Sequence, residues 1–166
     1  MKRRPVHTDV VAVAPDDVAW DLPAPFVERR SVVADEIDEY RHVNNAVYVE
    51  WFDHVAWAHS AALGLPLERC LELDRGMAVV RSTVTYAKPA LLHDVVDVAT
   101  WLLPTDGRLR AKRRFQVKRP ADGATLARAE IEYVCLQLST GRPVRAPPEF
   151  TARYAPAAGL VEPPPL

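Results

Sequence analysis

Residues 46–63 read AVYVEWFDHVAWAHSAAL, and this stretch decides the fold. Apolar residues fall on nearly every side of a helix drawn through it, with Glu50, Asp53, His54 and His59 as the polar exceptions. Neither proline nor glycine interrupts the run before Gly64. A helix so apolar is buried by more than one partner surface. Asn44 and Asn45 ahead of it suit N-cap positions, and Gly64 followed by Pro66 is a C-terminal stop.

Beyond the helix the period changes to two. Residues 77–88, 94–103, 108–119 and 125–138 are rich in Val, Thr, Tyr and Leu, with Pro104-Thr105-Asp106-Gly107 and Pro120-Ala121-Asp122-Gly123 as hairpin signals. Four long antiparallel strands follow from this. Ahead of the helix, 27–34 is a short strand and 35–44 is polar and loop-like. The order β-α-β-β-β-β places one long apolar helix against one strongly twisted sheet, an α+β arrangement of five antiparallel strands wrapped round a central helix.

Proline marks the limits of this unit. Of 15 prolines, four lie within residues 1–25 and seven within 143–166, so the four between them fall at joints between periodic segments. The expected organisation is an arm over 1–25, a folded domain over 26–150, and a tail over 151–166 ending in Pro163-Pro164-Pro165. With 166 residues the chain suits a single domain.

Lys+Arg (21) and Asp+Glu (22) nearly cancel to a net charge of -1, which gives no bulk attraction to nucleic acid or an anionic membrane. Cys70 and Cys135 are too sparse for a disulfide scaffold or a clustered zinc site, and a reducing cytoplasm is the expected compartment. The basic start Met1-Lys2-Arg3-Arg4 is followed by no hydrophobic stretch of the signal-peptide kind, and no uncharged apolar run is long enough to span a bilayer.

The densest polar cluster, Asp35-Glu36-Ile37-Asp38-Glu39-Tyr40-Arg41-His42-Val43-Asn44-Asn45, sits at the mouth of the buried helix. A helix N-terminus offers unpaired amides and a partial positive charge that hold a developing oxyanion. Asp38, seven residues before Asn45, is close enough for the loop to fold back and place a carboxylate beside those amides. Attack on an activated carbonyl, directly or through water, is one reading. In the other, these Asx residues only cap and turn.

The string Asp38-Glu-Tyr-Arg-His42-Val-Asn44-Asn45-Ala-Val-Tyr48, followed by Trp51-Phe52-Asp53 and later by Tyr86-Ala-Lys-Pro89-Ala, resembles the acyl-CoA thioesterases of the 4-hydroxybenzoyl-CoA thioesterase family over roughly residues 27–150. The resemblance implies the hotdog fold, hydrolysis of an acyl-CoA thioester, and edge-to-edge pairing of two chains into one larger sheet, often doubled again to a tetramer. It implies no cofactor beyond the coenzyme A of the substrate. Asp38 matches the catalytic aspartate, nucleophile or base. Asn45 matches the position whose backbone amide binds the thioester oxygen. His42 falls where the subset with the His-Val-Asn-Asn string, including plant acyl-carrier thioesterases, has a histidine proposed as catalytic partner. That subset has asparagine two residues after the aspartate, where this chain has Tyr40. A Gly-Gly helix start with a helix glutamate, the mark of the other catalytic subtype, is missing.

Further candidates lie outside the loop. Glu50, Asp53, His54 and Trp57 form one helix ridge, which reads either as structure or as metal ligands, and structure is the expectation. The resemblance places Asp53 against the acyl group, while Tyr48, Trp51 and Trp57 are bulky enough to set pocket length or simply to fill the core. Seven basic residues lie between Arg108 and Arg119, with Arg108, Arg110, Lys112 and Arg114 alternating onto one strand face. That face reads as a grip for anions or as a solvated surface. Arg108 with Arg142 and Arg145 are the family-like places to hold the phosphates of coenzyme A. Aromatic residues are not interleaved there, which disfavours nucleic acid. Three other functions remain as alternatives: an acyl-carrier-protein thioesterase, a dehydratase on the same fold, and a non-catalytic acyl-CoA sensor. For the dehydratase, Asp38 and His42 share one loop rather than being split between loop and helix. For the sensor, residues 1–25 are too short for a helix-turn-helix.

Overall fold

The period-two sequence after the central helix produces the strands it predicts. A computed structural model describes residues 10–13, 19–157 and 160. In chain order the elements are β1 (Val11–Val13), β2 (Phe26–Ser31), a 3-10 turn (Ala34–Glu36), α1 (Asn45–Ala62), α2 (Leu67–Glu72), β3 (Arg75–Tyr86), β4 (Val95–Leu103), β5 (Arg110–Arg119), β6 (Ala124–Gln137) and α3 (Pro148–Arg153). One antiparallel sheet has the order β1-β2-β4-β5-β6-β3. The tight turns close on glycines in the left-handed region, Gly107 (φ 63°) and Gly123 (φ 67°).

Side-chain parity sorts the sheet into two faces. Val96 and Val98 of β4, Phe115 and Val117 of β5, and Ala127, Ala129 and Ile131 of β6 pack with Val47, Trp51, Phe52 and Val55 of α1 into the main core. Phe52 meets Phe115 at 5.1 Å between ring centres. On the other face Ala99, Trp101 and Leu103 pack with Val27 and Leu160 under Trp20 and Leu22. The segment before β2 is laid over this face: Trp101 Nε1 donates to Pro23 O at 2.9 Å and Lys118 Nζ to Ala19 O at 2.6 Å. A third cluster of Leu65, Cys70, Cys135 and Phe150 joins α2 and α3 to the far end of the sheet.

The sheet has six strands where five were expected. The addition is β1, a three-residue strand inside residues 1–25 that pairs with β2; so short a segment carries no alternation from which to infer it. α3 crosses residue 150, and Tyr154 just beyond it packs on Phe150. Residues 163–165 lie outside the described residues. Asn44 alone caps α1, its Oδ1 accepting from Ala46 N at 2.9 Å, and Asn45 is the first helical residue. The second surface expected to cover α1 is missing within the described chain. Ala46, Val49, Glu50 and Asp53 form an exposed ridge, and β3, an edge strand, exposes Val79 (52%) and Val80 (50%). Among the described residues no helix is long and apolar enough to cross a membrane.

Candidate functional site

Residues 37–43 form a small closed turn. Ile37 bridges Val43, Asp38 N donates to His42 O at 2.8 Å, and Asn44 N donates to Glu36 O at 2.9 Å. Arg41 takes the left-handed backbone (φ 62°) that so tight a reversal requires. The two legs therefore lie side by side, with Asp38 opposite His42 and Glu36 opposite Asn44, the cap of α1. Its Oδ1 accepts from Tyr40 N (2.9 Å) and His42 N (3.3 Å). Both donors fall on one oxygen, and Oδ2 takes no hydrogen bond among the described residues. The side chains of Tyr40 and His42 are exposed.

Buried groups hold this turn against the helix. Glu36 Oε1 accepts from Arg30 Nη2 and Trp51 Nε1, each at 2.9 Å, and Oε2 accepts from Val33 N at 3.1 Å. Arg30 also lies over the Trp51 ring at 4.9 Å. Val43 N donates to Ala90 O at 2.9 Å, and Ala90 N donates to the Tyr48 hydroxyl at 3.0 Å. Tyr86 OH donates to Asn45 O at 3.0 Å. Tyr48 is thus buried with its hydroxyl tying α1 to the β3–β4 connection, and burial pushes that phenol above its ordinary pKa.

At the helix start, Ala46 N is met by Asn44 Oδ1 and Val47 N by Asn44 O. The Asn45 amide is the remaining first-turn donor, and helix geometry gives it no intrahelical acceptor. A carboxylate held by one oxygen and a spare helix amide therefore lie on one turn that leads into α1.

Asp53 and Trp57 lie elsewhere. Eight residues along α1 from Asn45, about 12 Å at the helical rise, Asp53 forms the rim of a cavity of about 60 Å³ whose lining includes Trp57, Ser60, Arg113, Tyr133 and Tyr154. Arg113 is 4% exposed. Its Nη1 lies 2.9 Å from His59 Nδ1 and its Nη2 donates to Ser60 Oγ at 3.0 Å. Since arginine only donates, His59 Nδ1 is the acceptor and the ring proton sits on Nε2. Burial, reinforced by the Arg113 charge, lowers the His59 pKa to about 4. Burial likewise pushes the Tyr133 phenol up to about 12.

Arg108, Arg142 and Arg145 are exposed and gather at the far end of the sheet, where Ala146 N donates to Arg108 O (2.7 Å) and Gln137 N to Arg142 O (2.9 Å). β4 begins beside the Asp38 end, with Asp94 O accepting from Val32 N, and ends next to the Arg108 turn. Its length puts about 30 Å between the two ends. Within one chain the structure does not bring these arginines to Asp38. On the face carrying Arg110, Lys112 and Arg114, Arg110 stays exposed while Lys112 and Arg114 are tied to an acidic partner. Glu130 pairs with Lys112 and Arg114 at 2.8 Å, Glu132 lies 3.7 Å from Arg110, and Arg114 is buried. Of the helix ridge, His54 Nδ1 meets Glu28 Oε2 on β2 at 2.8 Å, and no metal-binding group of three such side chains forms among the described residues.

The sequence reading missed Arg113, Ser60, Tyr133 and Tyr154. One signal was present: Arg113 shares its strand parity with Ala111, Phe115 and Val117, so it is a cation on the apolar face.

A family model described as the thioesterase-like superfamily matches residues 32–154. The chain belongs to this superfamily. This thioesterase-like chain is 28% identical to the long-chain acyl-CoA thioesterase FadM of Escherichia coli K12 over 108 residues, 63% of this chain and 77% of that one. Among solved structures it is similar to Slr0204, a 1,4-dihydroxy-2-naphthoyl-CoA thioesterase from Synechocystis (TM-score 0.71, 17% identity, 79% and 96% of the two chains). It is also similar to SAV2348 from Staphylococcus aureus, solved in complex with CoA (TM-score 0.73, 21% identity, 81% and 84%). These likenesses establish the hotdog fold for the thioesterase-like chain.

Proposed function

We propose that the protein hydrolyses acyl-CoA thioesters to a free carboxylic acid and coenzyme A. The observation that carries this reading is the Asp38 carboxylate, pinned through Oδ1 at the mouth of α1 with Oδ2 open, beside a helix whose first amide has no acceptor. The thioester carbonyl oxygen accepts from the Asn45 amide, where the helix dipole stabilises the charge that develops on it. Oδ2 of Asp38 takes a proton from a water molecule, whose oxygen bonds to the carbonyl carbon. Collapse of the tetrahedral intermediate breaks the C–S bond. The thiolate leaves with little assistance because a thiol pKa is about 8.5, and it recovers the proton held by Asp38. His42, on the opposite leg of the turn, passes to solvent the proton that the product carboxylic acid releases. No metal or further cofactor enters this scheme.

The active assembly is a two-fold pair. β3 carries the Tyr86 end, bonded to the start of α1, and the Arg75 end, where Asp74 O accepts from Leu138 N beside the Arg142 turn. Antiparallel pairing of two β3 edges sets the Asp38 end of one chain beside the arginine end of the other. It also covers the α1 ridge left bare in a single chain, and it brings Arg108, Arg142 and Arg145 within reach of the coenzyme phosphates.

The test is thiol release from short, medium, long and aryl acyl-CoAs and from matched acyl-carrier-protein thioesters, with Asp38→Ala alongside. Turnover on CoA esters that falls by about 1,000-fold in the variant, with an unchanged circular dichroism spectrum, is the expected result. Full-rate Asp38→Ala would overturn the mechanism, and release from carrier protein alone would move the substrate to that class.

A further inference from the structure

The cavity beside α1 has an apolar wall and a charged floor. Its rim is Asp53 and Val79, both exposed, and its floor is formed by buried Ser60, Leu102, Arg113 and Tyr133. Arg113 is a full charge removed from water, and among the described residues no carboxylate pairs with it. His59 is a neutral acceptor, Ser60 is a hydroxyl that also accepts from Tyr154 OH at 3.0 Å, and the Tyr154 ring lies 5.6 Å from the guanidinium. The guanidinium has more N–H donors than these two acceptors occupy. A buried cation without an anion is costly, whereas a bidentate carboxylate satisfies both its charge and its donor geometry. Asp53 at the rim has an interaction of its own. The cavity has about 60 Å³ of water-accessible space and opens at its rim. It has room for the end of a chain.

We propose that Arg113 is a specificity residue that receives a carboxylate at the distal end of the acyl group, so that the preferred substrates are ω-carboxyacyl thioesters, the half-esters of dicarboxylic acids with coenzyme A. This rests on the thioesterase reading above and narrows its substrate. Methylene groups of the chain lie along Trp57, Ala56 and Met77, and the terminal carboxylate takes the free donors of Arg113, with the Tyr133 hydroxyl as a further donor. A neutral methyl end would leave the guanidinium desolvated and unmatched. A site built around a polar partner discriminates by that mismatch far more strongly than an apolar pocket does by size.

The experiment compares kcat/KM for ω-carboxyacyl-CoAs and the corresponding methyl-ended acyl-CoAs over a series of chain lengths, in the wild type and in Arg113→Met and Arg113→Lys. At the best length the wild type favours the carboxylate end by about 100-fold. The ratio falls to about one in Arg113→Met, and Arg113→Lys keeps part of it. Wild type that prefers methyl ends, or a preference untouched by Arg113→Met, overturns the proposal while leaving the thioesterase reading in place. If the wild type releases thiol from no ester, that reading fails instead. Calorimetric binding of an S-(ω-carboxyalkyl)-CoA against an S-alkyl-CoA thioether then decides the proposal. Tighter binding of the carboxylate, lost in Arg113→Met, supports it, and equal binding overturns it. Should Arg113→Met not fold, Arg113→Gln and Arg113→Lys supply the same comparison.

Discussion

Arg113 and Arg114 adjoin in sequence and are both buried, yet they face opposite sides of the sheet. Arg114 points to the outer face and shares Glu130 with Lys112, while Arg113 points inward to a neutral histidine and a serine. A count of basic residues merges the two, and only strand parity separates them. The loop was easier to read, because Asp38, His42 and Asn45 are set by local chain spacing and the turn that unites them spans only a few residues. His42→Gln should lower kcat by about tenfold and leave KM unchanged if the imidazole only relays a proton; steady-state kinetics on the best CoA ester measures this. His59 gives a prediction about stability. Its pKa is about 4 in the folded chain against an ordinary 6.5, so between these values the unfolded chain binds a proton that the folded chain does not. Stability therefore falls as pH drops from about 6.5 towards 4, by up to about 3 kcal/mol. His59→Asn keeps an acceptor for Arg113 and cannot titrate, and denaturant midpoints measured across this window should decline less steeply in the variant.

The central helix was legible almost to the residue because its signals are local: an Asn cap, an uninterrupted apolar run, and Gly64 with φ 85° at its end. Asn44→Ala removes the acceptor for Ala46 N and should cost about 1 kcal/mol in thermal or denaturant unfolding. Activity should fall as well, since the same residue fixes the backbone that presents the Asn45 amide. The long strands were equally readable from their alternation and their glycine turns. β1, α2 and α3 were not, for they have three, six and six residues. Elements that short owe their form to the surfaces they land on: β1 to the free edge of β2, and α2 and α3 to the cluster around Phe150. The acidic partners on the outer face of β5 were hidden for a related reason. Its partners Glu130 and Glu132 are remote in sequence, and the segment over Gln116 and Lys118 comes from residues 19–21.

The proposed pairing of two chains would cover the surface that a single one leaves exposed. The apolar sequence of α1 asks for cover on all sides, and the described chain leaves Val49 and its neighbours uncovered beside the exposed residues of β3. Light scattering should therefore give a mass of twice the monomer or a multiple of it. Val80→Lys, placed on the β3 edge, should shift the protein towards monomer and reduce thioester turnover in proportion, while leaving its circular dichroism intact. The two margins of the sheet are unequal, twelve residues at β3 and three at β1. Growth of a fibre by strand addition needs two adhesive margins on every unit, so that each copy recruits the next. The proposed pairing at β3 would consume the only long margin among the described residues on both copies and leave the three residues of β1 outside. Such an assembly would close on itself at the first step, and the protein should then concentrate without polymerising through its sheet.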